Sequence, residues 1–483
     1  MSKYEAVIGL EVHVQVKTGS KMFCSCPNSY GEGPNTMVCP VCMGYPGVMP
    51  VANKEAIRRT IIAGLMCSCE IPKYSKFDRK SYFYPDMPKN YQISQYDLPF
   101  CLKGKIHISG KGFSGNELPN KDIGITRIHL EEDVAKSTHF PGASGIDFNR
   151  AGVPLMEIVS EPEMKSADEA YAYLTSLKQI MQYAGISDCD MEKGQMRCDV
   201  NISIMPCGAD TFGTKVELKN LNSFRAVHRS IEYEISRQED AVENGIKICQ
   251  ETRGWNDDQG ETYLMRSKEN AHDYRYFPEP DLMPIEFTNE DIEKFGKEIP
   301  ELPEAKRERF VAKFGLTPYD AHVLTLEKSY ADYFEEGIKH TNTPKLLANW
   351  IISELLRELA ASNTSINECG ISPKNLGAMI ELINNDTISG KIAKTVFSEM
   401  FTSGKAPEEI VEEKGLVQVT DESAIESFVE QAIRENQTQV EQYKSGNNPK
   451  VLQFFVGQVM KLSKGKANPQ TVVKLLQKNL GSI

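Results

Sequence analysis

The sequence has no run of about 18 apolar residues, so it contains no obvious membrane-spanning helix. It has no Gly-x-x-x-x-Gly-Lys-Ser/Thr loop and no complete kinase signature set. A P-loop nucleotide site is therefore excluded. No Ser or Cys triad suggests an enzyme-linked intermediate. Met1 to Leu10 carries neither a basic region leading into an apolar stretch nor an Arg-rich leader, so a cytoplasmic protein with no membrane association is expected. Internal repeats and low-complexity tracts are absent. Positive charge is also in short supply. There are 55 Lys+Arg against 67 Asp+Glu, a net charge of −12. Taken alone, that balance argues against a nucleic-acid partner.

Its distribution argues the other way. From Gln442 to Ile483 seven lysines stand without an acid, so this segment is +7 and the remainder −19. A basic tail on an acidic body suits a polyanion held at one end, and a merely solvated lysine-rich face suits the pattern equally.

At 483 residues the chain has room for two to four domains. Strand-like alternation marks Val7 to Val16, Gly124 to Asp133, Pro154 to Glu161 and Met196 to Ser203. A capping-box pattern at Ser166-Ala-Asp-Glu169 predicts a helix running to Gly185, and another is expected from about Phe224 to Gly245. This is an α+β pattern. After Glu301-Leu-Pro-Glu304 helical periodicity takes over, with helices expected over Pro344 to Ala361 and Ser372 to Asn384. The expected domains are an α+β catalytic domain at 1–294, a helical domain at 295–405 and a small helical tail domain at 406–483.

Twelve cysteines are present. Cys24-Ser-Cys26 and Cys39-Pro-Val-Cys42 form two close pairs, which match a closed tetrahedral zinc site. Pro40 stiffens the second turn, and Gly44 can take a positive φ that turns N–H groups toward sulfur. The alternative is four small buried hydrophobes. Cys67 and Cys69, and the remaining six, are expected to pack in the interior.

Period-two alternation puts Glu11, His13 and Gln15 on one face of a strand, opposite Ile8, Leu10, Val12 and Val14. The same argument groups His129, Glu131 and Asp133, then Glu157 and Glu161, then Arg197, Asp199 and Asn201. Converging carboxylates would repel unless a cation or strong hydrogen bonds compensate. Oxygen ligands of this kind suggest magnesium and a nucleotide phosphate. Lys73 to Gln95 interleaves cations with aromatic rings, which suits a nucleotide or single strand, or else an aromatic-rich packed loop.

Taken together, Ile8-Gly-Leu-Glu-Val-His-Val14, Lys76-Phe-Asp-Arg-Lys80, Tyr82-Phe-Tyr-Pro-Asp86, His129-Leu-Glu-Glu-Asp133, Asn149-Arg-Ala-Gly-Val-Pro-Leu155, Arg197-Cys-Asp-Val-Asn201, Glu217-Leu-Lys-Asn-Leu-Asn-Ser-Phe224 and Asp273-Tyr-Arg-Tyr-Phe-Pro-Glu-Pro-Asp281 resemble the B subunits of aspartyl/glutamyl-tRNA amidotransferases. The resemblance spans the chain and is strongest before residue 290. It implies a cradle-shaped catalytic domain, a helical domain and a tail that grips tRNA. It also implies ATP-dependent phosphorylation of the side-chain carboxylate of Glu-tRNA(Gln) and/or Asp-tRNA(Asn). Ammonia from an amidase A subunit then gives the amide, with a small C subunit completing a heterotrimer. ATP, magnesium and zinc are the implied cofactors.

The residues the resemblance assigns to the magnesium region and to catalysis are Glu11, His13, Glu131 and Glu157, with Asp199 beside them. Lys80, Arg150 and Lys219 would meet phosphate oxygens. Tyr82, Tyr84 and Asp86 would shape the pocket for the acceptor end of tRNA. Lys450, Lys461, Lys464 and Lys466 would hold the tRNA body. Archaeal E-type relatives carry an inserted domain, for which this chain has no room after Pro284. A zinc-stabilised RNA-binding protein and a stand-alone metal-dependent hydrolase are the competing classes. ATP-dependent amide formation discriminates against the first, and turnover without partners or tRNA would mark the second.

Overall fold

The structure, a computed structural model, describes residues 3–267, 273–418, 421–446, 449–463 and 465–481. The chain divides into two compact units, Met1–Leu302 and Pro303–Ile483.

The first unit is built on an eight-stranded sheet. In chain order its strands are β1 (Tyr4–Gln15), β2 (Cys101–Ile108), β3 (Lys121–Glu132), β4 (Pro154–Ser160), β5 (Met196–Pro206), β6 (Val216–Lys219), β7 (Glu251–Asn256) and β8 (Glu261–Ser267). Their spatial order is β8-β7-β6-β5-β1-β4-β3-β2. All neighbours are antiparallel except β6 and β7. The alternation read in the sequence becomes two chemically distinct faces. Ile8, Leu10, Val12 and Val14 are fully buried, as are Ile128, Leu130, Met156, Ile158, Val200 and Ile202.

That apolar face packs on three helices, α1 (Lys54–Met66), α2 (Ala167–Tyr183) and α3 (Phe224–Glu243). Leu174, Leu177 and Met181 of α2 reach the core as their spacing requires. Ser166 caps α2 by accepting from Glu169 N. The Glu169 carboxylate accepts from Lys165 N rather than from the cap residue itself, so the reciprocal half of the capping box is displaced by one residue. Ser223 caps α3 in the same way, accepting from Ala226 N. A small three-stranded sheet sets Asp78–Ser81 between Phe277–Pro278 and Tyr91–Ser94, and it carries Lys80.

The helix Asn289–Lys297 runs through the boundary expected near residue 295 and packs Ile292 and Phe295 on the first core. The second unit is helical from Pro303 to Gly481 among the described residues. It holds two hydrophobic cores, one from Phe310 to Val411 and one from Ile425 to Leu480. The helix expected over Pro344 to Ala361 forms, but with a wide turn at Ile351–Leu355 between Pro344–Trp350 and Leu356–Ser362. The helix Pro373–Asn384 is capped by Ser372, with Pro373 at its first position. The α+β class expected from the sequence is the class the chain adopts.

Two of the cysteines expected to pack inside do not. Cys207 and Cys249 are exposed, because they lie in the connections after β5 and α3 rather than on a core-facing register. No helix among the described residues is long and apolar enough to cross a membrane.

Candidate active site

The face of the sheet opposite the core carries the polar alternates. Register decides which of them meet. His13 stands opposite Glu157 across β1 and β4, and His129 stands opposite Glu157 across β4 and β3. Both imidazoles therefore converge on one carboxylate. His13 Nε2 lies 3.3 Å and His129 Nε2 lies 3.6 Å from Glu157 Oε2, and His129 Nε2 is 3.5 Å from Glu131 Oε2. Glu131 also accepts from Ser94 Oγ at 2.9 Å.

Burial opposes ionisation of Glu157, yet His129, His13 and Lys80 hold it well below the usual carboxylate range. Glu131 follows the same pattern, held down by Lys80 and His129 against its burial. Burial works against charge on His13, but Glu157 and then Glu131 raise its pKa above the ordinary value. Lys80 projects over the Tyr274 ring, 5.0 Å from its centroid. Burial disfavours its charge, and Glu131 and Glu157 outweigh that and push its pKa up. The result is a buried constellation of fixed charge with a cation on one side.

One ligand atom from each of His13, Glu131 and Glu157 can lie within 4.8 Å of the others. Glu11, expected in the same set, groups instead with Asp199 and Glu217, again within 4.8 Å. The reason is spacing. Residues i and i+2 of a strand sit about 7 Å apart, and Glu11 pairs across β5 with Asp199. The all-oxygen set Glu11, Asp199 and Glu217 suits magnesium; the set containing an imidazole suits manganese or zinc as well.

Glu217 was missed by the sequence reasoning, although it shares a face with Lys219 two residues on. Lys219 binds Asp199 and lies 3.2 Å from Glu217, so this cation is already paired. Arg150 is committed too. It donates to the carbonyls of Val134 and Ala135 at 2.8 Å and lies 3.7 Å from Asp133. Its geometry holds the Asp133 turn rather than pointing a free guanidinium at the site. Asp133, also missed as a site residue, accepts from Arg197 and Gln15, each at 2.9 Å.

Tyr82 and Tyr84 stack with centroids 5.8 Å apart. Asp86 is buried beside them with Oδ1 unpartnered, and burial raises its pKa. Tyr96 and Tyr276 stack at 4.3 Å, and burial pushes the Tyr276 phenol up to about 12. The aromatic segment of the sequence thus brings rings to the Lys80 side of the site, including Tyr274 and Tyr276 from a distant stretch.

The four cysteine sulfurs of Cys24, Cys26, Cys39 and Cys42 also lie within 4.8 Å of one another. Zinc–sulfur bonds of about 2.3 Å in a tetrahedron place sulfurs roughly 3.8 Å apart, so this donor set fits zinc with small side-chain adjustment. Gly44 takes φ +65°, and Cys39 N donates to Cys42 Sγ at 3.2 Å. A hydrogen bond from Cys24 draws the Cys42 thiol down to about 4 against the effect of burial. The fully buried Lys21 donates to Met37 O at 2.8 Å and to Phe148 O at 3.2 Å, with Cys42 Sγ 3.8 Å away.

In the second unit Lys461 is exposed and Lys466 half-buried. Lys464 lies outside the described residues, and Lys450 is described in its backbone alone. Lys474 pairs with Glu422 at 3.0 Å and Lys478 approaches Glu426 at 3.8 Å. Part of the tail's basic charge is therefore met by the preceding helix Glu422–Glu435.

Comparison with known proteins places this geometry in context. Residues 6–293 match the GatB/GatE catalytic domain, and residues 332–480 match the GatB domain. Over 488 residues the chain is 53% identical to a protein of Carboxydothermus hydrogenoformans, and over 485 residues 53% identical to one of Brevibacillus brevis, with 100% of both chains covered in each case. A Geotalea uraniireducens protein is 53% identical over 483 residues, covering 99% of each chain. All three relatives bear the name of the B subunit of an aspartyl/glutamyl-tRNA(Asn/Gln) amidotransferase.

Proposed function

From its membership of the GatB/GatE family, to which the chain belongs over most of its length, we propose that it is the carboxylate-activating subunit of a tRNA-dependent amidotransferase. It forms a carbon–nitrogen bond with glutamine as the ultimate amide donor. The substrates are Glu-tRNA(Gln), Asp-tRNA(Asn) or both, and ATP drives the reaction. An amidase A subunit supplies ammonia and a small C subunit joins the two in the cytoplasm. The observation that carries this reading is the largely buried His13–Glu157–His129–Glu131 constellation beside Lys80, on the sheet face of the segment that matches the catalytic family.

A carboxylate is a poor electrophile. Its oxygen attacks the γ-phosphorus of ATP, ADP leaves, and an acyl phosphate results. Ammonia then attacks the acyl carbon and phosphate departs. Phosphoryl transfer needs alignment and charge neutralisation more than covalent help. Glu11, Asp199 and Glu217, and likewise His13, Glu131 and Glu157, would hold magnesium, which would supply charge neutralisation at phosphoryl oxygens. Lys80, held protonated by Glu131 and Glu157, offers a fixed cation to those oxygens. Lys219 keeps Asp199 and Glu217 together before any ligand arrives. Asp133 ties β1, β5 and the Arg150 turn, which orients the strand carrying Glu131. Tyr82, Tyr84 and Asp86 line the approach for the acceptor end.

In the second unit, the core from Phe310 to Val411 is the helical domain and the core from Ile425 to Leu480 the tail domain. The tail holds the tRNA body through Lys461, Lys466 and their neighbours. Cys24, Cys26, Cys39 and Cys42 would hold structural zinc.

The deciding experiment is co-expression with A and C subunits, followed by assay of misacylated tRNA for amidation. Amidation that needs both ATP and charged tRNA is the expected result. Turnover of a small ester or phosphate by this chain alone, with no amidation in the complex, would sink the reading.

A further inference from the structure

Beyond the carboxylate clusters, one row of side chains runs outward along the same sheet face. Glu11 stands opposite Asp199. Asp199 is bound by Lys219. Lys219 stands opposite Gly254 on β7, and Gly254 stands opposite Tyr263 on β8. The row ends in a ring, and the ring does not point away. It lies back over Gly254 toward Lys219. A Cβ on Gly254 would fall 2.4 Å from Tyr263 Cζ and 2.6 Å from its hydroxyl. A side chain at this position would push the ring aside.

Asn220, in the left-handed region at φ +63°, donates its amide to the Tyr263 hydroxyl at 3.0 Å and fixes the ring's far end. The amide also lies 4.0 Å from Met265 Sδ, so a thioether borders the same ring. Tyr263 nevertheless keeps 44% of its surface exposed. An aromatic ring pinned by a hydrogen bond, backed by bare backbone and open on its other side is preorganised for stacking.

From this arrangement we propose that Tyr263 is the stacking platform for the adenine of ATP. The inference rests on the ATP-dependent reading given above. The acidic set that Lys219 holds together would engage the phosphates through a magnesium ion. Tyr263 lies two strand spacings further, about 10 Å at the backbone, with its ring reaching back. A nucleoside triphosphate laid along the row puts its base on the ring. Tyr263 is a binding residue, remote from the reacting atoms. It therefore contributes ground-state affinity and leaves the chemical step unchanged. Tyr263→Phe keeps the stack. Tyr263→Ala removes it. Gly254→Ala keeps the tyrosine but displaces the ring.

The test measures binding to the full-length chain, in magnesium buffer, of two probes: ATP and inorganic tripolyphosphate, which lacks a base. Loss of base stacking lowers affinity roughly ten- to a hundredfold. Tyr263→Ala should weaken ATP by that factor and leave tripolyphosphate unchanged. Gly254→Ala should weaken ATP in the same direction, and Tyr263→Phe should stay within about threefold of wild type, having lost one exposed hydrogen bond. In the assembled complex the KM for ATP should rise while kcat and the KM for charged tRNA hold. Wild-type ATP binding with Tyr263→Ala unaffected overturns the platform and leaves the ATP reading standing. A raised KM for charged tRNA with ATP unaffected overturns it as well, assigning the ring to the terminal adenosine. A wild-type chain that binds neither probe overturns both readings.

Discussion

His13 Nε2 stands 3.3 Å from Glu157 Oε2, across a strand pair that places the two residues directly opposite each other. Glu131 belongs to the same cluster through His129, which lies within reach of both carboxylates. Charge held this closely, and mostly out of water, is arranged before the substrate binds.

The first prediction follows from that preorganisation. Glu131→Gln and His13→Ala should each lower ATP- and tRNA-dependent amidation by on the order of a hundredfold or more, the usual scale when a preorganised electrostatic group is lost. Glutaminase activity of the partner A subunit should remain measurable in the same preparations. Near-normal amidation by both variants would refute the assignment.

Asp133 offers a test against pH. Its carboxyl is fully buried; burial opposes ionisation, and Arg197 and Arg150 hold its pKa below the ordinary value. A carboxylate with a depressed folded-state pKa contributes stability above its unfolded value near about 3.9 and loses it as pH falls through the folded value. Asp133→Asn should therefore cost about 3 kcal/mol at pH 7, the low end for a broken buried pair, because the Arg197 side chain is 38% exposed. The gap in melting temperature between variant and wild type should persist from pH 7 to pH 5 and narrow only below about pH 4. A gap independent of pH down to acid unfolding would show that packing, not charge, holds the turn.

For the cysteine cluster, elemental analysis should find about one zinc per chain. Cys39→Ser should lose the metal and lower the melting temperature of the first unit, since structural zinc contributes directly to folding. Protein that is folded and active yet free of zinc would count against the site.

The tail can be tested by charge. Lys461→Glu combined with Lys466→Glu should raise the KM for charged tRNA and flatten its salt dependence, because phosphate contacts release counterions. At saturating tRNA the rate should largely recover, as expected for uniform binding. Unchanged KM and kcat would mean that these lysines are a solvated face. Unchanged KM with a lost kcat would make the tail part of the catalytic machinery.

Much of this protein was written in local pattern. Alternation of apolar and polar residues in Ile8 to Gln15 settled which face of β1 meets the core, because the side-chain period of a strand is two. The spacing of the four cysteines pointed to a metal cluster, and Ser166, Ser223 and Ser372 marked helix starts. Each of these depends on residues close in sequence. What tertiary structure alone decided was which polar residues meet.

Strand order put β4 on one side of β1 and β5 on the other, so His13 joined Glu157 and Glu11 joined Asp199 and Glu217. No periodicity within β1 could separate them. The family resemblance assigns Arg150 and Lys219 to phosphate oxygens, and the fold gives them partners 15 to 20 residues away. The lysine-rich tail met Glu422 and Glu426 from a preceding helix for the same reason. Charge and pairing depend on separations of a few ångströms, and long-range strand register and helix packing set those separations.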